Sequence, residues 1–192
     1  MLIESDGIKT YSNAETLEAL TELGAAVPEG LCIVEVGVYR AGTTCALASE
    51  AKAHVYGIDT WGLEGAYSSG SESAKKYGLD NMEIAERRIE GRGLSDKITL
   101  IRNFSAEAAA DWDGPPIGLL FIDGEHTYDA VHNDYAAWAH YVPAGGIVAF
   151  DDYTNKPQHA GVRMAVGEIL AQGFTDPQVS GKRLLWAKRS TS

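Results

Sequence analysis

The sequence predicts an α/β fold: a doubly wound, mostly parallel seven-stranded sheet with helices on both faces and an antiparallel C-terminal hairpin. Three observations predict it. Short runs of apolar and β-branched residues recur along the chain, beginning with Cys32-Ile33-Val34-Glu35-Val36, and read as strands buried on both faces. Stretches of helical period alternate with these runs, which is the pattern of βαβ units. The runs also end in glycine turns or acids: Gly37 and Gly42 after the first, Asp59 after the second, Asp123 and Asp151-Asp152 later. A length of 192 residues suits one domain, 1–192, with a full core.

Taken in order, residues 1–11 are mostly polar and poorly patterned. A helix is expected over 12–24, with Ser12 as N-cap and Glu15 as its capping-box partner. Leu17, Leu20 and Leu23 fall along its apolar stripe, and Gly24 and Pro28 end it. The first strand and its glycine turn follow, then a small-residue helix from Thr43-Thr44 through Ala46, Leu47 and Ala48. The second strand is His54 to Ile58, closed by Asp59. Residues 61–80, WGLEGAYSSGSESAKKYGLD, are rich in Gly and Ser and hold Trp61, Tyr67 and Tyr77. The stretch is longer than most βα connections, so a lid or substrate loop is expected there, with a surface insert as the alternative.

A helix over Asn81–Gly91 leads to a third strand, Ile98–Arg102, then Ser105 and a short helix over Ala106–Trp112. Pro115-Pro116 introduces the fourth strand, Ile117–Ile122, which ends in Asp123. Tyr128–Tyr141 reads as a helix with Val131, Tyr135 and Trp138 on one face. Pro143 and Gly145-Gly146 set up the fifth strand, Ile147–Phe150, before Asp151-Asp152. A last helix, Val162–Ala171, precedes strands at Pro177–Val179 and Lys182–Ala187, joined by a two-residue Ser180-Gly181 turn.

Composition narrows the partners. Hydrophobic residues at 45% and charged residues at 22% are those of an ordinary globular chain. A net charge of −11 argues against nucleic acid or an anionic membrane as the main partner. The densest basic cluster, Lys182-Arg183 with Lys188-Arg189, reads as a solvated strand edge. Met1-Leu2-Ile3 is followed at once by Glu4 and Asp6, so no signal peptide is expected, and no apolar run would span a bilayer. Cys32 and Cys45 read as buried thiols in a reducing cytoplasm. A homodimer is left open, since dimers are common among soluble oligomers.

The glycine turn indicates the ligand class. It reads Glu35-x-Gly37-x-x-x-x-Gly42 and not G-x-G-x-x-G, with Val38, Tyr39 and Arg40 where a pyrophosphate would need space. Glu35 would repel a pyrophosphate and suits a ligand with a cationic centre and no phosphates. Asp59, about 20 residues beyond Gly37, can accept hydrogen bonds from both ribose hydroxyls; the alternative is a strand-end cap. Asp123, Asp151 and Asp152 would repel one another unless a cation sits among them, and hard oxygen ligands suit Mg²⁺. His126 can take an acceptor proton or order its loop. His132 and His140 read as helix-surface or packing residues, and His159 lies in the loop beyond Asp152.

These features resemble the class I S-adenosylmethionine-dependent methyltransferases, and more closely the macrocin O-methyltransferase group and the catechol-type O-methyltransferases. The resembling stretches are VEVGVYRAGTT (Val34–Thr44), GIDTW (Gly57–Trp61), FIDGEHTYDAVHNDYAAW (Phe121–Trp138), PAGGIVAFDDY (Pro143–Tyr153) and GVRMAV (Gly161–Val166). The resemblance implies a Rossmann-like sheet and an S-adenosyl-L-methionine site. That site comprises Glu35, Gly37, Val38, Tyr39, Gly42, Thr43, Thr44, Asp59, Thr60, Trp61, Ser105 and Asp123. It also implies Mg²⁺ on Asp123, Asp151 and Asp152, lowering the pKa of an acceptor hydroxyl, with His126 and Asp123 as the catalytic groups. The expected reaction is O-methylation of a small molecule, a natural product or sugar. The alternatives are an NAD-dependent oxidoreductase and a non-catalytic relative. The sequence departs from the family at Ala41 and Asn103, where glycines are common, and in its shorter length.

Overall fold

The computed structural model describes residues 2–3, 9–63 and 80–190. Two-residue strands β1 (Leu2–Ile3) and β2 (Lys9–Thr10) pair antiparallel ahead of the main fold. The main sheet comprises β3 (Cys32–Val36), β4 (Val55–Asp59), β5 (Ile98–Arg102), β6 (Ile117–Ile122), β7 (Ile147–Phe150), β8 (Phe174–Ser180) and β9 (Leu184–Arg189). Its order is β5-β4-β3-β6-β7-β9-β8. All pairings are parallel except those of β9, which runs antiparallel to both β7 and β8. The seven-stranded expectation holds, and so does the antiparallel end.

The helices are α1 (Ala14–Ala25), α2 (Gly42–Ser49), α3 (Asn81–Gly91), α4 (Ser105–Ala110), α5 (Tyr128–Trp138) and α6 (Ala160–Leu170). One face of the sheet packs Leu20 and Leu23 of α1, Cys45 and Leu47 of α2 and Ala85 and Ile89 of α3 against Ile33, Leu119 and Phe121. The other packs Ala108 and Ala109 of α4, Val131, Tyr135 and Trp138 of α5 and Val166 and Ile169 of α6 against Val34, Leu120 and Val148. β3 and β6 are buried at every position, as strands covered on both faces are, with Glu35 of β3 the one charged side chain among them. Both cysteines are buried free thiols.

Several boundaries differ from the sequence reading. The N-cap of α1 is Asn13, whose side chain accepts from Thr16 N at 2.8 Å, and Ser12 is buried ahead of it. Asn13 wins because its amide has a second use: Nδ2 donates to Gly181 O at 2.9 Å, tying α1 to the C-terminal hairpin. The expected helix to Tyr141 tightens into a 3₁₀ turn over Ala139–Tyr141, a usual way for a helix to end. The last helix starts two residues early, behind a 3₁₀ turn at Pro157–His159. The first hairpin strand is longer than expected and the second starts two residues later, because Gly181 (φ 57°) and Lys182 (φ 62°) lie in left-handed conformation in a turn through Arg183. Most of the stretch expected as a lid, 61–80, lies outside the described residues, which stop at Leu63 and resume at Asp80.

The strand ends are held level by backbone bonds that continue the ladders past them. Gly37 N donates to Ile58 O at 2.8 Å, Asp123 N to Val36 O at 2.8 Å and Asp151 N to Ile122 O at 3.1 Å. Asn103 N donates to Asp59 O at 3.1 Å. This brings the glycine turn and the acids to one edge of the sheet.

Phe121 is fully buried in the central β6, two residues before Asp123. Phe121→Ala is expected to destabilise by about 3–5 kcal/mol through transfer and cavity terms, read as a lower urea midpoint at unchanged slope.

Candidate active site

At the carboxyl edge of β3, β4, β6 and β7 the chain lines a cleft of about 1040 Å³. In a doubly wound sheet this is where ligands bind. Of the residues expected to hold a cofactor, Gly37, Val38, Tyr39, Gly42, Thr43, Asp59, Thr60, Trp61, Ser105 and Asp123 line it. Glu35 and Thr44 are fully buried and do not.

The glycine turn is shaped by its neighbours. Gly37 has φ +93°, and a Cβ there would sit 2.2 Å from Asp123 O. Its glycine therefore serves the close approach of β6 as much as any ligand. Asp59 holds the rest of the turn. Its Oδ2 accepts from Val38 N at 3.0 Å and Tyr39 N at 2.8 Å, and its Oδ1 from Trp61 N at 2.9 Å. Trp61 Nε1 donates to Tyr39 O at 2.8 Å, clamping the turn from the other side. The strand-end cap weighed for Asp59 is thus present, and the lone pairs left on Oδ1 are those open to a further donor.

Tyr39 (φ 53°), Trp61 (φ 40°) and Asp152 (φ 53°), which line this cleft, and Ala41 (φ 56°), the N-cap of α2, are in left-handed conformation. Strain of this kind persists where surrounding bonds over-determine it. At Ala41 a glycine would adopt the same conformation without that strain.

Glu35 is a buried carboxyl. Oε1 accepts from the Thr43 hydroxyl, while Oε2 is buried with no hydrogen-bond partner among the described residues. Burial, partly offset by the Thr43 and Thr44 hydroxyls, pushes its pKa up to about 7.

The acids form a second cluster. Asp123 is half-buried, and Asp151 and Asp152 are buried. One oxygen from each lies within 4.8 Å of the others. Arg183 sits among them. Its Nε donates to Asp151 Oδ1 at 2.8 Å, and its Nη2 to Asp151 Oδ2 at 2.5 Å and Asp152 Oδ1 at 2.8 Å. Its Nη1 donates to Tyr11 O at 3.0 Å. The expectation that Lys182-Arg183 is a solvated edge is corrected here. Lys182 is exposed, but the turn conformation of the hairpin sends Arg183 into the cleft. Arg189 is likewise engaged, donating to Ala139 O at 2.5 Å and Val142 O at 2.6 Å.

Two histidines converge on Asp152. His126 Nε2 lies 2.9 Å from Oδ2 and His159 Nδ1 3.4 Å from Oδ1, with ring centroids 5.3 Å apart. His159 is buried and its Nδ1 also meets Thr154 Oγ1 at 2.8 Å. The hydrogen bond to Asp152 is the main reason the His126 pKa is raised. Burial instead lowers that of His159. Burial opposes ionisation of Asp152, but His126 and Arg183 overcome it and hold its pKa low. At Asp123 burial and the neighbouring Asp151 prevail and raise the pKa well above the usual range.

Sequence reasoning missed Arg183 and the contact of the buried His159 with Asp152. It also missed the tight seat of the His126 loop. A Cβ on Gly161 would lie 2.8 Å from His126 O and 2.6 Å from Tyr128 N, so α6 can touch the loop only through a glycine. The GVRMAV stretch carried that signal.

Fold and cleft together define a methyltransferase scaffold. A family model described as a methyltransferase domain matches residues 34–153, and the chain belongs to that family. An uncharacterized protein of Acanthamoeba polyphaga mimivirus is 26% identical over 144 residues, 74% of this chain. The match spans 61% of that protein, so the chain covers less than two thirds of this relative's length. The O-methyltransferase NovP has the same fold, with TM-score 0.67, 19% identity and coverage of 91% of this chain and 79% of its own. The O-methyltransferase TomG of Streptomyces achromogenes, involved in tomaymycin synthesis and solved with SAM, superposes with TM-score 0.66 at 15% identity, covering 91% and 79%. No helix among the described residues is long and apolar enough to cross a membrane.

Glu35 yields a stability prediction with a definite sign. Its pKa is near 4.5 unfolded and about 7 folded. The native state therefore holds the proton longer, and this group's contribution to stability falls as pH rises through that window. Glu35→Gln should match wild type at pH 4 and exceed it by roughly 1–3 kcal/mol at pH 8, as measured by chemical denaturation at both pH values.

Proposed function

We propose that this protein is an S-adenosylmethionine-dependent methyltransferase that transfers the methyl group to a hydroxyl of a small molecule. The observation that carries the reading is the glycine turn with a buried, half-partnered Glu35 beneath it, within a methyltransferase-family chain. A buried carboxyl beneath the turn suits a cationic ligand near it, and Thr43, which donates to Glu35 Oε1, lines the cleft. The cofactor's residues fit by the same test: backbone of Gly37–Tyr39, Asp59 and Thr60–Trp61 on one wall, Ser105 on another.

When bound, the cofactor supplies an electrophilic methyl group on a sulfonium. The chain's part is to orient the acceptor and take its proton. Because His126 Nε2 faces Asp152 Oδ2 at 2.9 Å, Nδ1 is the nitrogen left to receive that proton. Asp152 fixes the ring and stabilises the charge it gains, as an orienting carboxylate does for a catalytic histidine. A small-molecule acceptor is favoured by the concave cleft and by a net charge of −11, which disfavours nucleic acid.

The Mg²⁺ expected on Asp123, Asp151 and Asp152 is favoured by the convergence of their oxygens within 4.8 Å. The donor set does not fit an ion as it stands, since Arg183 engages both Asp151 oxygens and one of Asp152. No step is routed through an ion.

Calorimetric titration with S-adenosylhomocysteine, with NADH as control, tests the cofactor. Adenosylhomocysteine is expected to bind and NADH not to. Asp59→Ala is expected to weaken binding roughly tenfold or more, as loss of a charged hydrogen-bond acceptor does. Binding of NADH alone, or of neither, would sink the reading. With an acceptor in hand, the rate should rise with pH through a pKa above 6.5, because His126 must lose its proton first. Asp152→Asn should move that limb to lower pH.

A further inference from the structure

We propose that Arg183 is the resident cation of the strand-end carboxylates, taking the place a divalent ion would fill and positioning His126 through Asp152. The His126 part rests on the methyl-transfer reading; the cation part does not.

Three carboxylates at one sheet edge need positive charge, and a planar guanidinium offers it as a fork. Arg183 uses three of its donors on these acids, Nε and both hydrogens of Nη2, and points Nη1 to Tyr11 O. Both oxygens of Asp151 are thereby engaged, in a side chain only 1% exposed. Asp152 is used on both sides, by Arg183 and His159 at Oδ1 and by His126 at Oδ2. An ion bound to the same oxygens, with ligand distances of about 2.1 Å, would sit within about 5 Å of the guanidinium. The two cations would compete for one set of lone pairs.

Arg183 is also fixed from behind. Its carbonyl accepts from Tyr153 N at 2.8 Å, and Gly181 O takes the amide of Asn13 at 2.9 Å. A Cβ on Gly181 would lie 2.3 Å from Thr16 Oγ1, so the hairpin tip fits α1 closely. The guanidinium is therefore built into the fold by the sheet, α1 and the residue after Asp152. It pins Asp152 in its left-handed conformation (φ 53°), and Asp152 in turn holds the His126 ring.

The test is Mn²⁺ binding to the full chain, followed by the electron paramagnetic resonance of free Mn²⁺, which needs no substrate. Wild type is expected to bind no Mn²⁺ at the acids. Arg183→Met is expected to bind it at least tenfold more tightly than wild type, with the gain lost when Asp123→Asn is added. Arg183→Lys, which keeps the charge, should stay at the wild-type level. Stoichiometric binding by wild type that Asp123→Asn abolishes overturns the proposal. So does an Arg183→Met variant that gains nothing, or an Arg183→Lys variant that opens as widely. If Arg183→Met does not fold, the wild-type titration decides alone, since binding at the acids overturns the proposal and its absence supports it. Adenosylhomocysteine binding, measured separately, reports on the methyl-transfer reading, and its failure would leave the Mn²⁺ result standing.

Discussion

The candidate site depends on one interaction, the Arg183 fork on Asp151 and Asp152. Two adjacent buried carboxylates at a strand end are costly to ionise without compensating charge. The compensation comes from the far end of the chain, because β9 lies antiparallel between β7 and β8 and its turn opens beside the end of β7. A purely parallel last strand would deliver its turn to the opposite edge. The antiparallel hairpin is thus the topological device that brings Arg183 to the acids.

From that pair the order spreads outward. Asp152, held by Arg183, offers its second oxygen to His126. His126 sits on a loop pressed against α6 at Gly161, and that loop follows Asp123, whose backbone abuts Gly37. Gly37 opens the turn that Asp59 and Trp61 clamp. The left-handed residues Tyr39, Ala41, Trp61 and Asp152 mark where these constraints meet. Preorganised polar groups of this kind lower reorganisation during a reaction, which suits the role proposed for this site, to hold an acceptor and receive its proton.

The central strands were legible because a strand buried on both faces must be apolar throughout. β6 and β7 fall on the residues that their unbroken runs predict. The helix Asn81–Gly91 was equally clear, since Asp80 and Glu83 form a capping box at its start. Boundaries failed where a partner distant in sequence intervened. Asn13 displaced Ser12 as the cap because its amide also meets Gly181. The first hairpin strand, β8, was read too short because its length is set by pairing with β9 and not by local propensity.

The sheet, the glycine turn and the line of acids at its carboxyl edge could be read from the chain alone. Those features follow from local periodicity and from residues at strand ends, and both are encoded along the chain. What the acids face emerges only on folding. Arg183 read as one charge of a solvated basic cluster and His159 as a loop residue, because nothing local distinguishes a guanidinium in water from one bonded to a carboxylate more than 30 residues away. Their roles arise from side chains that meet only once the hairpin has folded back on β7. A long-range ion pair of this kind leaves no periodic trace in the sequence.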